Sequence, residues 1–233
     1  MADAGEGRRN PSLGSPTYAV RAPIARWLRA EAELARRRER RPRLLDVGCG
    51  LKPYEPFFAG AVAEYVGVDV ANPLADLEGT VEDLPVPEGS FELVLCTQTL
   101  EHANDPARAV KELRRVVAPG GRVLASTHGV QVYHPNPDDL WRWTHAGLER
   151  LFRENGAWAS VAVTPGSGTT ACIGMLVATY IHLLAKRAHA APVAAPFVAG
   201  VNIAARGIDR LSARLREPGP GTVFANYHVT AEP

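Results

Sequence analysis

Beyond residue 42 the chain alternates between short apolar runs and segments whose apolar residues recur about every three to four positions. Each run is nearly continuous in apolar residues, as in parallel strands that are buried on both faces. The segments between the runs have the helical period, and Pro119-Gly120-Gly121 is typical of the end of one such helix. This alternation predicts an α/β domain with a mostly parallel sheet. The predicted strands are 44–47, 65–70, 91–96 and 123–127, and a helix is predicted at 106–117.

Further elements are predicted on both sides of this core. An apolar stripe that starts at Pro23 predicts a helix before the sheet. Thr144 is a predicted N-cap for a helix that reaches residue 155. Strands are predicted at 158–163 and 222–230, and the two helical stripes between them predict a helical cap or insertion at about 166–220.

Composition sets the domain organisation and the class of partner. Gly and Pro interrupt any period in residues 1–20, so we expect a flexible or loosely docked arm there. Residues 21–233 are predicted to form a single domain, because a chain of 233 residues with 46% apolar composition supplies one sizeable core. Lys and Arg total 26 against 25 Asp and Glu, so we expect no nucleic-acid partner.

The cysteines and the apolar segments indicate the compartment. Cys49, Cys96 and Cys172 are far apart and contain no C-x-x-C pair, so neither disulfides nor a metal site are expected. The first twenty residues have no apolar run that predicts a signal peptide. No stretch reaches the roughly 18 uncharged apolar residues of a membrane span. We therefore expect a cytoplasmic protein.

A glycine-rich turn follows the first predicted strand. The strand carries Asp46 and runs into Gly48-Cys49-Gly50, where glycines permit a tight turn and close approach of the backbone to a ligand. The next predicted strand contains Asp69, at a position where an acid accepts hydrogen bonds from ribose hydroxyls. These features predict a nucleoside-bearing cofactor at the carboxyl edge of the sheet. A dinucleotide site needs a third glycine, and Leu51-Lys52-Pro53 follows instead.

Six sequence blocks follow one another along the chain. They are Leu-Leu-Asp-Val-Gly-Cys-Gly at 44–50, Tyr-Val-Gly-Val-Asp at 65–69, Glu-Asp-Leu-Pro at 82–85, Gly-Ser-Phe-Glu-Leu-Val at 89–94, Leu-Glu-His at 100–102 and Leu-Arg-Arg-Val-Val-Ala-Pro-Gly-Gly at 113–121. In this order they resemble the class I S-adenosylmethionine-dependent methyltransferases, in the branch known as the methyltransferase type 11 domain. The resemblance implies a Rossmann-like fold with seven strands, an antiparallel last strand and S-adenosyl-L-methionine as cofactor.

The resemblance also implies which residues bind the cofactor. Many relatives have a small residue where Lys52 stands and an Asp where Thr80 stands, so the two ends of the cofactor could be contacted differently here. The implied residues are Asp46, Gly48 and Gly50 at the methionine moiety, Asp69 at the ribose, Glu82 and Asp83 along the adenine, and Cys96, Thr97 and Gln98 beneath the sulfonium.

A further block at 133–144 resembles the D-x-W-R-x-T segment of a methyltransferase subgroup that we associate with sugar, cell-surface glycan or secondary-metabolite genes. Its prolines, acids and indoles would form a rigid wall that suits a polar ring substrate. Packing of both indoles under the loop, as core, is the alternative. The candidate substrate-binding residues are Tyr133, His134, Trp141 and Trp143.

Methyl transfer to a hydroxyl needs a base for the acceptor's proton. His128 directly follows the strand predicted at 123–127, so we expect it at the carboxyl edge as the catalytic base. His102, together with Glu101, is the second candidate. The sequence thus predicts methyl transfer to a small-molecule acceptor by in-line displacement, the acceptor being a sugar, a glycan precursor or a secondary metabolite.

Several alternatives stay open at the level of the sequence. An NAD(P)-dependent oxidoreductase, a non-catalytic binding protein with the same fold and an RNA methyltransferase are the competing functions. The apolar helices of the insertion are compatible with a lid, a homodimer interface, peripheral membrane contact or ordinary packing. The sequence decides neither the acceptor nor whether oxygen, nitrogen or carbon is methylated.

Overall fold

The computed structural model describes residues 5–135 and 138–233. The strands are β1 (Arg43–Val47), β2 (Glu64–Asp69), β3 (Leu77–Glu78), β4 (Phe91–Thr97), β5 (Val117–His128), β6 (Ser160–Pro165) and β7 (Asn226–Glu232). They form one sheet in the order β3-β2-β1-β4-β5-β7-β6. The last strand, β7, is antiparallel to β5 and β6, and the remaining pairs are parallel. This confirms the predicted mostly parallel sheet with an antiparallel last strand.

Helices cover both faces of the sheet. Two of them begin at the side-chain caps that their sequences provide: Asp105 accepts a hydrogen bond from the backbone N–H of Arg108, and Thr144 accepts one from that of Gly147. The helices are α1 (Glu6–Arg9), α2 (Tyr18–Arg36), α3 (Glu55–Phe58), α4 (Pro106–Val116), α5 (His145–Glu154), α6 (Thr169–Arg187) and α7 (Ala191–Leu211), with short 3-10 turns at Leu100–His102 and Ala213–Leu215.

The element boundaries differ from the prediction in several places, among them β6, predicted at 158–163, and β7, predicted at 222–230. The first long helix begins at Tyr18, so Pro23 lies inside it, where its missing N–H removes a single intrahelical bond. The two-residue strand β3 was not predicted, because two residues carry no periodic signal. Strand β5 already starts at Val117 and contains the Pro-Gly-Gly turn, where its pairing register with β4 shifts.

Two apolar clusters fill the space on either side of the sheet. The predicted stripe of α2 packs inward through Ile24 and Leu28, both almost fully buried. The charged member of that stripe, Glu31, is buried as well, and its carboxylate lies 2.8 Å from the guanidinium of Arg122 on β5. The ion pair explains how an acid occupies an inward position of this helix.

The described part of the N-terminal segment, residues 5–20, is docked on the body of the protein, where the sequence predicted a flexible or loosely docked arm over residues 1–20. Arg9 of α1 is buried and donates a hydrogen bond to the carbonyl oxygen of Pro53 at 2.8 Å. Asn202 of α7 donates to the carbonyls of Leu13 and Ser15. These contacts join distant parts of the chain, so no local periodicity reveals them. The single-domain boundary at residue 21 stays a prediction.

The predicted insertion forms a hairpin of α6 and α7. Its small residues pack inward, since a Cβ at Gly174 would lie 3.0 Å from Ala205, whereas the large apolar residues of the predicted stripes face outward. The 19-residue α6 is long and apolar enough to cross a membrane, although no such stretch was expected, and 33% of its apolar window is buried. The exposed apolar residues of the hairpin include Ile173, Val177, Tyr180, Leu184, Val193, Phe197, Ile203, Ile208 and Leu211.

Candidate active site

The loops at the carboxyl ends of β1 and β4 meet at Gly48. This glycine has a φ of +70°, and a Cβ there would lie 2.3 Å from the hydroxyl oxygen of Thr99. The Thr99 hydroxyl donates to the carbonyl oxygen of Val47 at 3.2 Å, which holds it against the turn. Gly48 therefore allows the loops after β1 and β4 to pack closely, and we place it below the surface that a ligand would contact.

Gly50 is the glycine that opens toward solvent. Its φ is +53°, and nothing lies within 4 Å of the position of a Cβ. Its N–H donates to Asp69 Oδ2 at 2.6 Å, and its carbonyl accepts from Asn72 at 2.7 Å. The other Asp69 oxygen accepts from the N–H of Val70. These donors fix the half-buried carboxylate at the end of β2, and each oxygen keeps lone pairs for further hydroxyl donors.

Asp46 lies deeper than expected for a residue that borders the cofactor. It is buried to 2% exposure, and the hydroxyl of Tyr65 donates to its Oδ2 at 2.5 Å. Burial raises the pKa of Asp46 to about 7, against a lowering by the Tyr65 hydrogen bond.

Lys52 departs from the family pattern without obstructing the loop. It has a φ of +47°, and its ammonium group lies 2.6 Å from Asp76 Oδ2. The side chain passes over Gly67, where a Cβ would lie 2.6 Å from Lys52 Cε. The side chain is thereby directed along the outer strands, away from the open space at Gly50.

The two acids expected along the adenine are placed differently from each other. Glu82 is half-buried and accepts from the backbone N–H groups of Asn104 and Asp105, at 2.7 and 3.3 Å. It therefore holds the loop before α4. Asp83 is exposed, and its backbone pairs with Thr80 in a tight turn. Of the two, Asp83 is the one whose side chain remains available.

The end of β4 exposes one of its three candidate residues, Gln98, because Cys96 and Thr97 are buried. Cys96 is fully buried among the apolar residues of the core, so the expectation that its side chain lines the cofactor floor is wrong. Apolar clusters cover both faces of this strand, so position 96 faces the core. Gln98 follows at the strand end with a φ of +57°, and its amide nitrogen lies 3.2 Å from the Ser126 hydroxyl. Such backbone strain in a residue other than glycine is common at functional sites.

His128 at the end of β5 is buried and faces Glu101. Its Nε2 lies 3.3 Å from Glu101 Oε1, while its Nδ1 has no hydrogen-bond partner among the described residues. Burial, followed by the neighbouring His134 and Arg142, lowers the pKa of His128 to about 3. Burial raises the pKa of the fully enclosed Glu101 to about 7. The imidazole is therefore neutral throughout the physiological range, and its Nδ1 can accept a hydrogen bond.

Two further histidines surround His128. The ring of His134 is 5.0 Å from that of His128 and 5.4 Å from that of His102, measured between centroids. His134, His128 and Asp139 offer ligand atoms within 4.8 Å of one another, although no metal set was expected from the sequence. Both carboxylate oxygens of Asp139 bind Arg142, at 2.5 and 2.7 Å. A cation would have to displace this guanidinium, so we assign no metal.

The segment 138–144 packs beside His128, while positions 136–137 of the predicted block lie outside the described residues. The N–H groups of residues 140 and 141 donate to the backbone carbonyl of Glu101, and that of Trp143 donates to the carbonyl of His128. Trp141 stacks on Trp143 with 5.6 Å between ring centroids and donates its indole N–H to the carbonyl of Ala103 at 2.7 Å. The indoles therefore brace the loop.

The availability of the four predicted substrate-binding residues follows from this packing. Trp143 packs against the apolar core and Trp141 is 39% exposed. His134 is half-buried at the cavity beside His128, whereas Tyr133 is 75% exposed. A sugar ring stacked on Trp143 does not agree with this arrangement. Trp141 and Tyr133 remain accessible.

A cavity of about 220 Å³ lies beside Gln98, His128 and His134. It is bounded by residues from the N-terminal segment, from the loops after β1 and β4, and from the chain after β5. A larger cavity of about 410 Å³ between α2 and the α6–α7 hairpin contains none of the predicted site residues. Residues lining the smaller one include Arg8, Arg21, Tyr54, Gln98, His128 and His134.

Comparison with known proteins adds the family. A family profile described as a methyltransferase domain matches residues 19–162, which include β1 to β5 and the loops of this site. The chain belongs to this methyltransferase family. It is of the class I type that depends on S-adenosyl-L-methionine, as the six sequence blocks predicted. The match does not favour the oxidoreductase alternative, and it does not test the D-x-W-R-x-T subgroup.

Curated relatives match only in part. The methyltransferase YcgJ of Bacillus subtilis, itself uncharacterized, is 30% identical over 102 residues, which are 37% of this chain and 40% of that protein. The ubiquinone biosynthesis O-methyltransferase of Ralstonia nicotianae is 35% identical over 117 residues, covering 43% and 47%. Ajmaline N-methyltransferase of Rauvolfia serpentina is 28% identical over 139 residues, covering 52% and 48%. The chain spans less than half the length of each of these relatives.

Solved structures share the fold. Phosphoethanolamine N-methyltransferase 2 of Haemonchus contortus, in complex with S-adenosyl-L-methionine, aligns with a TM-score of 0.55 at 13% identity, over 100% of this chain and 60% of that one. The cyclase SpnF aligns with a TM-score of 0.51 at 19% identity, over 90% and 81%. The Rossmann-like methyltransferase fold is thus shown, and the second name illustrates that the fold alone does not define a reaction.

The residues present fit the family's cofactor. The open space at Gly50 admits a ligand close to the backbone, and the pre-oriented Asp69 carboxylate suits vicinal hydroxyls. The sequence did not point to several residues that shape this region. Tyr65, Thr99 and Asn72 act through contacts with residues about 20 or more positions away, for which the sequence carries no signal.

Proposed function

We propose that the protein transfers a methyl group to a small-molecule acceptor bound in the cavity beside His128. The observation that carries this proposal is the unpartnered Nδ1 of His128, a buried imidazole nitrogen in a residue that lines the cavity. Buried polar atoms normally have a hydrogen-bond partner, so a hydroxyl or amine of an acceptor would satisfy this one. The acceptor classes that fit are sugars, glycan precursors and secondary metabolites.

Residues of the glycine loop hold the cofactor in this proposal. S-adenosyl-L-methionine, when bound, supplies a methyl group on a sulfonium that a nucleophile can displace in line. Gly50 provides close backbone approach, Asp69 receives the ribose hydroxyls, and Asp83 is the acid available near the adenine. Gln98 borders the sulfonium, and Gly48 and Asp46 shape the loop from below.

His128 removes the acceptor's proton, and Glu101 orients it. A carboxylate 3.3 Å from Nε2 favours the tautomer with the proton on Nε2, which leaves the lone pair on Nδ1 for the acceptor. His102 is a positioning residue, since its Nδ1 lies 2.5 Å from the carbonyl oxygen of Asp138 and this contact fixes the loop over the site. We also propose a cytoplasmic location, which the three free cysteines support.

Calorimetric titration with S-adenosylhomocysteine, and separately with NADH, tests the cofactor assignment. We expect saturable binding of S-adenosylhomocysteine alone, and at least a tenfold loss of affinity in Asp69→Ala, because the ribose loses a charged acceptor. Glu64→Ala, at the opposite end of β2, is the matched control and should bind normally. A folded wild-type protein that binds NADH, or neither compound, contradicts the proposal.

The base is tested by methyl transfer to a panel of phenols and glycosides. We expect His128→Ala to lower kcat by about 10²–10⁴ while the affinity for S-adenosylhomocysteine stays unchanged. Glu64→Ala, at the far end of β2 and outside this cavity, serves as the control. An unchanged kcat in His128→Ala would remove this residue from the mechanism.

A further inference from the structure

The acceptor cavity contains two arginines that the methyl transfer itself does not require. Arg8 lies on α1 and Arg21 on α2, and both line the cavity that contains His128. Neither guanidinium forms an ion pair or a side-chain hydrogen bond within residues 5–135 and 138–233. The nearby carboxylate of Glu6 is directed to Arg9 and Asn10 instead.

No acid lies beside Arg21 among the described residues, whereas three other arginines with partly enclosed side chains have one. Arg122 is paired with Glu31, Arg115 with Glu112 and Arg142 with Asp139, each at 2.8 Å or less. Arg114 and Arg206 are half-buried without an ion pair, but each donates a hydrogen bond to a neighbouring oxygen, at 3.0 and 2.6 Å. Arg38 and Arg21 have neither kind of partner among the described residues, and of these two only Arg21 lines the cavity.

The electrostatics around Arg21 favour an added negative charge. Burial lowers the pKa of Arg21 and the positive charge of Arg8 lowers it further, whereas the Tyr54 phenol raises it. Two like charges at one half-enclosed cavity repel each other, and a bound anion would relieve that repulsion. The planar guanidinium groups also match the bidentate geometry of carboxylate and phosphate oxygens.

The position of the arginines indicates which molecule carries the anion. The same 220 Å³ cavity has Arg8 and Arg21 on its side and the base His128 at the end of β5. An acceptor in this cavity can place its nucleophile at His128 and an anionic substituent at the arginines. We propose that Arg8 and Arg21 bind a carboxylate or phosphate group of the methyl acceptor.

This inference rests on the proposed function and names the chemical class of its substrate. A small anionic acceptor would be selected over its neutral analogue by charge-assisted hydrogen bonds, which add about tenfold or more in affinity when partly shielded from solvent. The carboxylate of the cofactor itself is the competing source of the same chemistry. The experiment therefore needs separate arms for acceptor and cofactor.

Binding to the protein saturated with S-adenosylhomocysteine tests the acceptor arm. The probes are 3,4-dihydroxybenzoate and catechol, which differ only in the carboxylate. Their binding is measured by calorimetry in low and in high salt. We expect the carboxylated probe to bind at least about tenfold more tightly, with a preference that falls as salt rises. Arg21→Ala and Arg8→Ala should each reduce this preference, and the double variant should abolish it.

Arg26→Ala is the matched control, because Arg26 is an exposed arginine of the same helix that does not line this cavity. It should retain the wild-type preference. Arg21→Lys keeps the charge and should retain part of the preference, which distinguishes loss of the anion site from loss of folding. A wild-type protein without any carboxylate preference, or a double variant that keeps it, overturns the inference.

The cofactor arm compares S-adenosylhomocysteine with methylthioadenosine, which lacks the amino acid part. If the arginines serve the acceptor, the affinity for both compounds stays within about threefold of wild type in the arginine variants. A loss of affinity for S-adenosylhomocysteine alone would assign the arginines to the cofactor and overturn the inference. Failure of the wild-type protein to bind S-adenosylhomocysteine would instead refute the proposed function, before the arginines are tested.

Discussion

Substitution of Gly48 and Gly50 by alanine distinguishes a glycine needed for the packing of the loop from one needed for the approach of the cofactor. At Gly48 an added Cβ would lie 2.3 Å from Thr99 Oγ1 and 3.1 Å from Thr99 Cβ, on a backbone with a φ of +70°. The left-handed conformation costs a residue with a side chain about 1–2 kcal/mol, and overpacking at a constrained contact costs about 1–3 kcal/mol. We therefore expect Gly48→Ala to lower the free energy of unfolding by about 2–5 kcal/mol.

Gly50→Ala is the matched comparison. The φ of +53° again costs about 1–2 kcal/mol, but nothing lies within 4 Å of the new Cβ, so no packing term is added. The methyl group would occupy the space into which the cofactor fits. We expect a smaller loss of stability and at least a tenfold loss of affinity for S-adenosylhomocysteine.

Chemical denaturation and calorimetry on both variants provide the two measurements. A loss of about 2–5 kcal/mol corresponds to a fall in Tm of roughly 4–20 °C in a chain of this size. Adding Thr99→Ala to Gly48→Ala removes the two closest atoms and should restore part of the stability. Equal stability of Gly48→Ala and Gly50→Ala, or unchanged affinity in Gly50→Ala, would refute this reasoning.

Three further changes test other parts of the structure. Glu101 has a pKa of about 7, and its loss of a proton strengthens the base His128. We therefore expect kcat to rise with pH through neutrality in the wild type and to stay flat in Glu101→Gln. A rise in kcat near pH 6.5 that survives in Glu101→Gln would indicate an ordinary histidine base instead. Tyr65→Phe removes the hydrogen bond that lowers the pKa of Asp46, so this carboxyl should titrate at higher pH, as followed by NMR, and an unchanged titration would contradict the contact. Asp209→Ala removes two hydrogen bonds to backbone N–H groups at the start of α6. Denaturant titrations should show a free energy of unfolding that is lower by about 1–3 kcal/mol. An unchanged free energy of unfolding would show that water replaces the cap.

The cofactor side of the site was predicted largely from local sequence. Gly48, Gly50 and Asp69 follow apolar strands, and a parallel sheet brings the ends of its strands to one edge. The order of blocks along the chain indicated the family and thereby the sheet topology. The family and the fold are confirmed, because strands and turns depend on neighbours in sequence, whereas the binding roles of these residues stay predictions.

Cys96 and the insertion show where the local pattern was insufficient. Cys96 lies within β4, and apolar clusters cover both faces of this strand, so its side chain is enclosed in the core. In α6 the large apolar residues formed the clearest stripe, whereas the helix packs through small residues because they allow close approach to α7. Periodicity identifies a helix, but the shape of the partner surface decides which face is buried.

The acceptor side depends on contacts between segments far apart in the chain. The sequence by itself determined the fold class, the glycine turn and the candidate base His128, because strand period and turn chemistry act locally. Only the tertiary structure decided that Glu101 faces this histidine, and that Arg8 and Arg21 from the N-terminal segment line its cavity. Such juxtapositions arise from long-range packing, and side chains brought together in this way leave no spacing in the sequence by which they could be predicted.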